Sequence, residues 1–480
     1  MDGLECNEIT KSDILKDNDE FRIDNGYYEK QYFDVYKRLK NKDLLGDICS
    51  MHDVSSNGSF AYVQNILKDN NKKVIPYIRS GNVGNTFLDL NDLICISKEA
   101  HQKLSLSRTN LHDIMMARKG KIGGATIITE NEVDLNCNEN VIKLNLIDKE
   151  KWNPFYLTAY LNSKYGKKQL ERISTGNVQP WVSIYQIKKI KCYYLSQEFQ
   201  NSIEQTMKTA KIYLDKSKES YSKAEQMLMS ELDIKEQDQV PNSFSVKSLS
   251  SSYLLSGRLD AAYYQLKYDI IESSIKSYIG GYKYLGEVVE DIFTGEYTEE
   301  YFKQNKGLKF YIRSTNIEKG QVIIDENYFV DGSRFNRTVK EGDIITARVG
   351  TIGIFASIDK ELDNAICSDN VICFRLPKVY CSEVYTLMFN SKLYYELFDR
   401  FSRGSVQQRL NQETLKDLII PILRVSLQRD VHQKLMQSFS LLQQSKQLIE
   451  FCKKTIEIAI EEGEAAGLKY LEEFVNKALN

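Results

Sequence analysis

The sequence has little of what metal clusters and disulfide frameworks require. Its nine cysteines occur singly, without a Cys-x-x-Cys pair, and it contains only four histidines. Zinc clusters and small disulfide-bonded domains both need such residues at close spacing. We therefore expect no metal site and no cofactor, and we expect most of the cysteines to be small buried apolar residues.

Long apolar segments are also missing. No apolar run approaches the length that spans a bilayer, and the first twenty residues are polar and acidic rather than basic and then apolar. The sequence therefore predicts a cytoplasmic protein with no membrane partner.

The chain lacks an excess of charge of either sign. It has 64 basic and 66 acidic residues, for a formal charge of −2. DNA-binding domains usually carry an excess of Lys and Arg, so the total charge argues mildly against DNA. The distribution is uneven, because residues 164–192 contain seven bases and one acid, whereas residues 392–420 contain five bases and four acids. A basic surface is expected mainly in the first half.

The clearest feature that is present is an internal repeat, which is the first pattern to seek in a long chain. Shared motifs occur in the same order in both halves: Arg22-Ile23-Asp24 with Tyr27-Tyr28 and Arg258-Leu259-Asp260 with Tyr263-Tyr264, Tyr77-Ile78-Arg79-Ser80 and Tyr311-Ile312-Arg313-Ser314, and Asp113-Ile114 to Gly123 and Asp343-Ile344 to Gly353. From Asn162 and Asn390 the match runs without a gap to Leu228 and Ile456. Insertions fall before Asn162, so the front of each copy is expected to recognise something different.

Each half begins with the pattern of a mixed α/β domain. Short β-like runs at 74–78, 113–118 and 125–128 are separated by Gly and Asn turns, and a helix is predicted from about Pro154 to Arg172.

Each half then closes with a long helix, the first from about Gln197 to Leu232. Residues recur at 4-3 spacing in both helices: Ile203, Met207, Ala210, Leu214, Ser217, Tyr221, Ala224 and Leu228, matched by Val431, Leu435, Ser438, Leu442, Ser445, Ile449, Cys452 and Ile456. Such spacing is typical of a coiled coil. Two helices in register favour pairing with each other over packing of each helix on its own domain.

This ordered series, occurring twice, resembles the specificity subunits of type I restriction-modification systems. The resemblance covers nearly the whole chain and includes the R-[IL]-D-x-x-YY opening, the Y-I-R-S-x-N strand, the D-I-[IM]-x-A-R-x-G-x-I-G turn and the G-[NS]-V-Q element. It implies tandem duplicated α/β (α+β) target-recognition domains separated by two long α-helices that form an antiparallel intramolecular coiled coil. The expected boundaries are 1–195 and 235–425 for the two domains, 196–234 and 426–463 for the helices, and 464–480 for a C-terminal helical tail.

The resemblance also implies the partners. Each domain would bind one half of a bipartite, asymmetric site in double-stranded DNA, and the helices would dock methyltransferase subunits, two per chain. It leaves open whether restriction subunits also bind, and whether the system is type I or type IIB-like.

Candidate DNA-binding residues come from motifs at the ends of strands and helices, where Arg, Lys and amide side chains have the chemistry to contact phosphates and base edges. They are Arg79, Asn82, Arg118, Lys119, Lys121, Asn177, Gln179 and Trp181 in the first half, and Arg313, Asn316, Arg348, Thr351, Ser405, Gln407, Gln408 and Arg409 in the second. The alternative is structural: a buried Arg79 or Arg313 that caps carbonyls, Gly120 and Gly350 that only form turns, and Gln179 or Gln407 that stabilises a turn. Residues shared by both copies favour scaffold or phosphate contact, and residues that differ favour sequence recognition.

Two other classes of function remain open. One is a DNA-modifying enzyme with an unrecognised catalytic motif, and the other is an interaction scaffold without DNA binding. Asn153-Pro154-Phe155-Tyr156 resembles the N-P-P-Y/F loop of adenine methyltransferases, but Asn-Pro at a helix start explains it, and the second copy has no equivalent. We therefore expect no catalytic residue.

Overall fold

The computed structural model describes residues 9–15, 22–39, 42–84, 86–90, 93–120, 122–176, 180–232, 246–250, 252–261, 263–350, 352–402 and 410–478. The chain divides into two compact units. The first unit contains residues 1–215 and 441–480, and the second contains residues 216–440.

The first unit is a mixed α/β structure. Its strands are β1 Asp43–Leu44, β2 Cys49–His52, β3 Lys73–Ile78, β4 Ile94–Ser97, β5 Ile114–Ala117, β6 Ala125–Ile127, β7 Asn136–Cys137, β8 Val141–Leu146 and β9 Lys191–Cys192. Its helices are α1 Lys11–Leu15, α2 Lys30–Arg38, α3 Leu45–Ile48, α4 Phe60–Leu67, α5 Lys98–Lys103, α6 Pro154–Asn162, α7 Lys164–Ile173 and α8 Ile184–Lys188, followed by the first part of α9 Gln197–Glu231.

Strand β5 lies inside an antiparallel four-stranded sheet of order β2-β8-β5-β6. Ile114 and Met116 pack in the main core with side chains of α6, whereas Met115 and Ala117 belong to a smaller core on the other face. Successive strand residues point to opposite faces, so a strand that is covered on both sides is apolar throughout. A second sheet, β4-β3-β7, contains the parallel pair β3 and β7.

The second unit has the same class of structure. Its strands are β10 Tyr282–Tyr284, β11 Asp291–Thr294, β12 Lys309–Ile312, β13 Ile317–Glu318, β14 Gln321–Val322, β15 Phe329–Val330, β16 Ile344–Ala347, β17 Phe355–Ser357, β18 Ile366–Cys367, β19 Val371–Arg375 and β20 Ile419–Pro421. Its helices are α10 Tyr253–Ser256, α11 Leu266–Lys276, α12 Leu285–Val288, α13 Ser382–Phe389, α14 Lys392–Ser402 and α15 Gln412–Lys416, followed by the first part of α16 Val425–Glu462.

The two units share their sheet topology. In the second unit the four-stranded sheet runs β11-β19-β16-β17, and the three-stranded sheet runs β15-β12-β18 with β12 and β18 parallel. The register also repeats, because Tyr77 pairs with Asn136 in the first unit and Tyr311 pairs with Ile366 in the second. The structure therefore confirms that one α/β fold occurs twice.

Each unit also contains the same long-range contact between an asparagine side chain and a strand backbone. Asn162 Oδ1 accepts a hydrogen bond from Ala125 N at 2.8 Å, and its Nδ2 donates to Ala125 O at 2.7 Å. Asn390 makes the same two bonds to Phe355, at 2.9 and 2.8 Å. Each asparagine thus attaches the start of an outer strand, β6 or β17, to the adjacent helix.

The units differ where the sequence predicts insertions. In the first unit helices α4 and α5 lie between β2 and β5, whereas the corresponding part of the second unit contains the β13–β14 hairpin. Both differences precede the Asn162 and Asn390 positions, so the variable part is the front of each copy.

The prediction of one helix from Pro154 to Arg172 was wrong, because the segment forms α6 and α7 with a break at Ser163. The backbone of Ser163 is extended (φ −70°, ψ 170°), and its Oγ donates to Tyr160 O at 2.6 Å. The hydroxyl satisfies a carbonyl at the end of α6 that the helix leaves unpaired. Asn153 caps α6, accepting from Phe155 N at 2.9 Å, which confirms the structural explanation of the Asn-Pro pair.

The long helices occur as predicted, and their 4-3 positions are buried or half-buried. In the first unit Ser445 Oγ donates to Ala210 O at 2.7 Å, and Cys452 Sγ lies 4.0 Å from Ile203 O. Such contacts of short side chains with backbone carbonyls require a close approach of the two helices.

The second unit contains the same kind of contact. Ser217 Oγ donates to Ser438 O at 2.8 Å, and Ser438 Oγ lies 2.8 Å from Ser217 O.

The tail forms a further helix, α17 Glu464–Ala478, which packs in the first unit through ring contacts of Tyr470 with Phe451.

The structure also gives the burial of the cysteines and the apolar character of the helices. Of the eight described cysteines, six are buried and Cys95 and Cys381 are half-buried, as expected for small apolar residues. Among the helices of the described ranges, none has the length and apolar character of a membrane span.

Candidate nucleic-acid interface

Strands β3 and β5 of the first unit end at the same loop. Strand β3 runs parallel to β7, which enters the loop, and β5 runs antiparallel to β8, which leaves it. Asn138 N donates to Ile78 O at 3.0 Å, and Arg118 N donates to Asn140 O at 2.9 Å. Arg79 and Arg118 are the first residues after the two strands, so the backbone of both lies beside this loop.

The second unit repeats this convergence. Ser368 N donates to Ile312 O at 2.9 Å, and Arg348 N donates to Asn370 O at 2.8 Å. Arg313 and Arg348 therefore follow two strands that end at one loop. We call these edges the strand-end surfaces: Arg79, Arg118, Lys119 and Trp181 around loop 138–140 in the first unit, and Arg313 and Arg348 around loop 368–370 in the second.

Lys119 and Trp181 complete the first strand-end surface. Val182 N donates to Arg118 O at 2.9 Å, and Lys119 and Trp181 form an isolated antiparallel bridge. Lys119 is exposed and Trp181 is 39% exposed. An exposed cation beside an exposed aromatic ring combines the attraction to phosphates with the stacking surface that nucleic-acid sites use.

The glycines of the two turns have a conformational reason. Gly120 and Gly350 have φ values of 86° and 91°, in the left-handed region that favours glycine. A Cβ atom at either position would meet no atom within 4 Å. The left-handed backbone conformation of the two turns therefore explains both glycines, whereas a lack of space for a side chain does not.

Arg118 is held in place by a buried carboxylate. Its Nη1 lies 2.8 Å from Oδ2 of Asp53, which is 1% exposed, and its guanidinium lies 5.7 Å from the centre of the Trp181 ring. A buried charge is stable only when it is paired and hydrogen-bonded. The pair therefore fixes the Arg118 side chain at the edge of the surface.

Arg348 has a different environment at the equivalent turn. The strand registers place Thr294 where the first unit has Asp53. Arg348 Nη1 lies 3.5 Å from the backbone oxygen of Asp369, and no carboxylate lies within ion-pair distance of it among the described residues. The two turns share their backbone bonds and differ in local charge.

Arg79 and Asn82 have different roles in the turn that follows β3. Asn82 is 6% exposed, and its Oδ1 accepts from Arg79 N at 2.9 Å while its Nδ2 donates to Asp89 O at 3.2 Å. Asn82 therefore shapes the turn, whereas Arg79 is exposed. The alternative of a buried structural arginine does not describe Arg79, because the buried residue of this turn is Asn82.

Asn316 shapes the corresponding turn of the second unit, accepting from Arg313 N at 2.9 Å and donating to Ile323 O at 3.0 Å. The Arg313 side chain is half-buried. It lies 3.1 Å from the centre of the Tyr328 ring and 3.4 Å from Asp325. A cation–π contact and an ion pair thus hold the half-buried Arg313 side chain, whereas Arg79 is exposed.

The R-x-D-x-x-YY motif of the first unit anchors the end of helix α7. Arg22 forms an ion pair with Asp24, and its Nη1 donates to Arg172 O at 3.0 Å and to Ser174 O at 2.9 Å. Arg172 Nε in turn donates to Tyr27 O at 3.1 Å. The hydrogen bond from Arg22 holds the pKa of Asp24 below its usual value. The motif thus fixes the end of helix α7 through Arg172 and Ser174.

The same cluster anchors α14 in the second unit. Arg258 pairs with Asp260 at 2.8 Å, which lowers the pKa of Asp260. Arg400 Nε donates to Tyr263 O at 3.0 Å, and its guanidinium lies 4.4 Å from the centre of the Tyr263 ring. The repeated motif is therefore part of the scaffold of each unit.

Half of the predicted contact residues lie outside the described residues. They are Lys121, Asn177, Gln179, Thr351, Ser405, Gln407, Gln408 and Arg409.

Sequence reasoning missed two contributors to the site. Asp53 lies 65 positions before Arg118, and no local motif marks the pair. The Arg22 and Arg258 clusters did have a signal, because their motif occurs in both halves.

Comparisons with known proteins agree with this duplication. A family model described as "Type I restriction modification DNA specificity domain" matches residues 42–219 and again residues 280–450. No curated protein matches the sequence.

Solved structures of low sequence identity are also similar. The chain is 13% identical to a type I restriction-modification S subunit from M. genitalium, with 90% of this chain and 96% of that chain covered and a TM-score of 0.39. It is 14% identical to an HsdS subunit from Thermoanaerobacter tengcongensis, with 87% and 96% covered and a TM-score of 0.28. The two family matches span most of both halves, and the chain belongs to the type I restriction-modification DNA specificity family.

Proposed function

We propose that this chain is the DNA sequence-specificity subunit of a type I restriction-modification complex, that it contains no catalytic site, and that it binds a bipartite, asymmetric DNA site in the cytoplasm. One observation carries this proposal: equivalent backbone bonds hold Arg118 and Arg348, yet the surrounding side chains differ. Asp53 and Lys119 in the first unit correspond to Thr294 and Val349 in the second. Scaffold contacts position a protein on DNA and variable side chains specify bases, so different sequences are expected for the two half-sites.

The predicted contacts fall into two groups under this proposal. Arg79, Arg118, Arg313 and Arg348 occur in both copies and are assigned to phosphates or to the scaffold. Lys119 and Trp181 differ between copies and are assigned to sequence recognition, together with Lys121, Asn177, Thr351, Ser405, Gln408 and Arg409. Gln179 and Gln407 occur in both copies and are assigned to shared base or backbone contacts.

We further propose that α9 and α16 pair as an antiparallel coiled coil that spaces the half-sites and docks two methyltransferase subunits. The contacts within the first unit support antiparallel pairing, since moving from Ile203 to Ala210 along α9 corresponds to moving back from Cys452 to Ser445 along α16. A helix of 35 residues is about 50 Å long at ~1.5 Å per residue. That length exceeds one turn of DNA, as a split site requires.

The test uses the full chain with a methyltransferase subunit of the same restriction-modification system and S-adenosylmethionine. We expect no methyl transfer by the chain alone, and methylation of one split sequence by the mixture. Methylation by the lone chain would instead support a DNA-modifying enzyme. Absence of DNA binding in the assembled complex would support an interaction scaffold.

A further inference from the structure

Three side chains with metal-binding atoms converge in the second unit, away from its strand-end surface residues. Cys381 precedes helix α13, Glu383 lies in its first turn, and His432 belongs to α16. Cys381 Sγ lies 3.2 Å from Glu383 Oε2, and His432 Nε2 lies 3.8 Å from the same oxygen. All three candidate ligand atoms lie within 4.8 Å of one another, and all three residues are half-buried.

These separations suit a zinc ion. Zinc binds Cys sulfur at about 2.3 Å and His nitrogen or carboxylate oxygen at about 2.0 Å, so tetrahedral ligand atoms lie about 3.3 to 3.6 Å apart. The two separations that involve Glu383, 3.2 and 3.8 Å, differ from that range only slightly, and the separation of Cys381 Sγ from His432 Nε2 is at most 4.8 Å. Thiolate, imidazole and carboxylate together form a donor set that zinc accepts. Small side-chain movements would therefore complete three ligands.

A buried glutamine holds the two parts of the cluster together. Gln428 Oε1 accepts from Cys381 N at 2.7 Å, and Gln428 Nε2 donates to Leu423 O at 2.8 Å. Gln428 is 5% exposed and lies one helical turn before His432, on the same face of α16. The backbone at Cys381 is thus fixed against the helix face that carries His432.

The first unit provides an internal comparison. Its equivalent positions hold Asn153, Phe155 and Glu204, of which only Glu204 is a common zinc ligand. Asn153 N donates to Gln200 Oε1 at 2.8 Å, as in the second unit, and Asn153 Nδ2 donates to Glu204. There a direct hydrogen bond closes the junction between the helices. In the second unit the same junction contains the Cys, Glu and His side chains.

We propose that Cys381, Glu383 and His432 bind one Zn²⁺ ion, with water as the fourth ligand. The ion ties the start of α13 to α16 and replaces the hydrogen bond that closes this junction in the first unit. None of its three ligands is a predicted DNA contact.

The experiment titrates the metal-free full chain with Zn²⁺ by calorimetry and with Co²⁺ by absorption spectroscopy. We expect one equivalent of Zn²⁺, a higher thermal midpoint with zinc, and a Co²⁺ spectrum with thiolate charge-transfer bands. Loss of even a partner of a metal ligand weakens binding roughly 10- to 100-fold, so Cys381→Ser and His432→Gln should weaken Zn²⁺ binding by at least about tenfold. Cys95→Ser is the control, because Cys95 is another half-buried cysteine.

Glu383→Gln keeps the shape of a part-exposed side chain and tests the cluster if either other variant fails to fold. It should also weaken Zn²⁺ binding. The proposal is overturned if the wild-type chain binds no Zn²⁺, if its Co²⁺ complex lacks the thiolate bands, or if folded cluster variants bind zinc as well as the Cys95→Ser control.

Discussion

Arg118 and Asp53 form an ion pair of 2.8 Å at the edge of the first strand-end surface, and the carboxylate is buried. The fold thus commits one cation to the scaffold and leaves Lys119, the next residue, exposed. Arg118, which Asp53 fixes, and Lys119, which is exposed, therefore have different physical roles beside the Trp181 ring. Mutation can separate these roles.

Asp53→Asn should destabilise the first unit, because it removes the charge that pairs with Arg118. A hydrogen bond to a charged group contributes roughly 1.5 to 3 kcal/mol, so we expect the free energy of unfolding to fall by about 2 kcal/mol in denaturant titrations. Thr294→Ala, at the equivalent position of the second unit, is the control and should cost less. Equal stability of wild type and Asp53→Asn would show that the pair is unimportant.

Lys119→Ala should weaken DNA binding by the assembled methyltransferase complex and lower its dependence on salt. Removing one cation that lies against the DNA reduces the slope of log affinity against log salt by about 1. Fluorescence anisotropy at several salt concentrations measures both effects. Lys149→Ala is the matched control, because Lys149 is exposed but follows the opposite end of β8. An unchanged slope for Lys119→Ala would remove Lys119 from the interface.

Asn162→Ala should destabilise the first unit, and Asn390→Ala should have a similar effect in the second. Each substitution deletes two bonds to a strand backbone and leaves buried polar groups without those partners. Unsatisfied buried groups cost about 1 to 3 kcal/mol each, so a loss of about 3 kcal/mol per variant is expected in denaturant titrations. A loss below about 1 kcal/mol would mean that the asparagines do not hold the outer strands.

The Arg22–Asp24 pair predicts a pH dependence of stability. Its hydrogen bond lowers the pKa of Asp24 in the folded chain. A carboxyl with a lowered pKa stabilises the fold above its unfolded value of about 4, and this contribution disappears as the pH falls through the folded pKa. Arg22→Gln should therefore reduce stability most near neutral pH. In acid its difference from wild type should narrow to the part that comes from the bonds of Arg22 with Arg172 O and Ser174 O. Parallel curves of unfolding midpoint against pH would contradict this assignment.

Patterns that repeat in the sequence predicted much of the architecture. The two long helices, the duplicated α/β fold and the variable front of each copy follow from periodicity and internal repetition. The break at Ser163 did not, because it depends on a serine that bonds the end of α6 instead of continuing the helix.

The site was less predictable for a different reason. The sequence marks Arg118 at the end of a strand and Trp181 in the loop after a helix, but Asp53 reaches Arg118 only after β2, β8 and β5 pair. Likewise, sequence spacing predicts no metal site, since His432 meets Cys381 and Glu383 only when α16 packs beside α13. Contacts between distant segments depend on tertiary structure.

The most direct test of the proposed function is to sequence methylated bases in the genome of the host with and without this gene. We expect that a single methylated motif, made of two different half-sites separated by a fixed gap, vanishes when the gene is deleted and returns when it is restored. An unchanged pattern of methylation after deletion, or loss of a continuous motif without a gap, would contradict it.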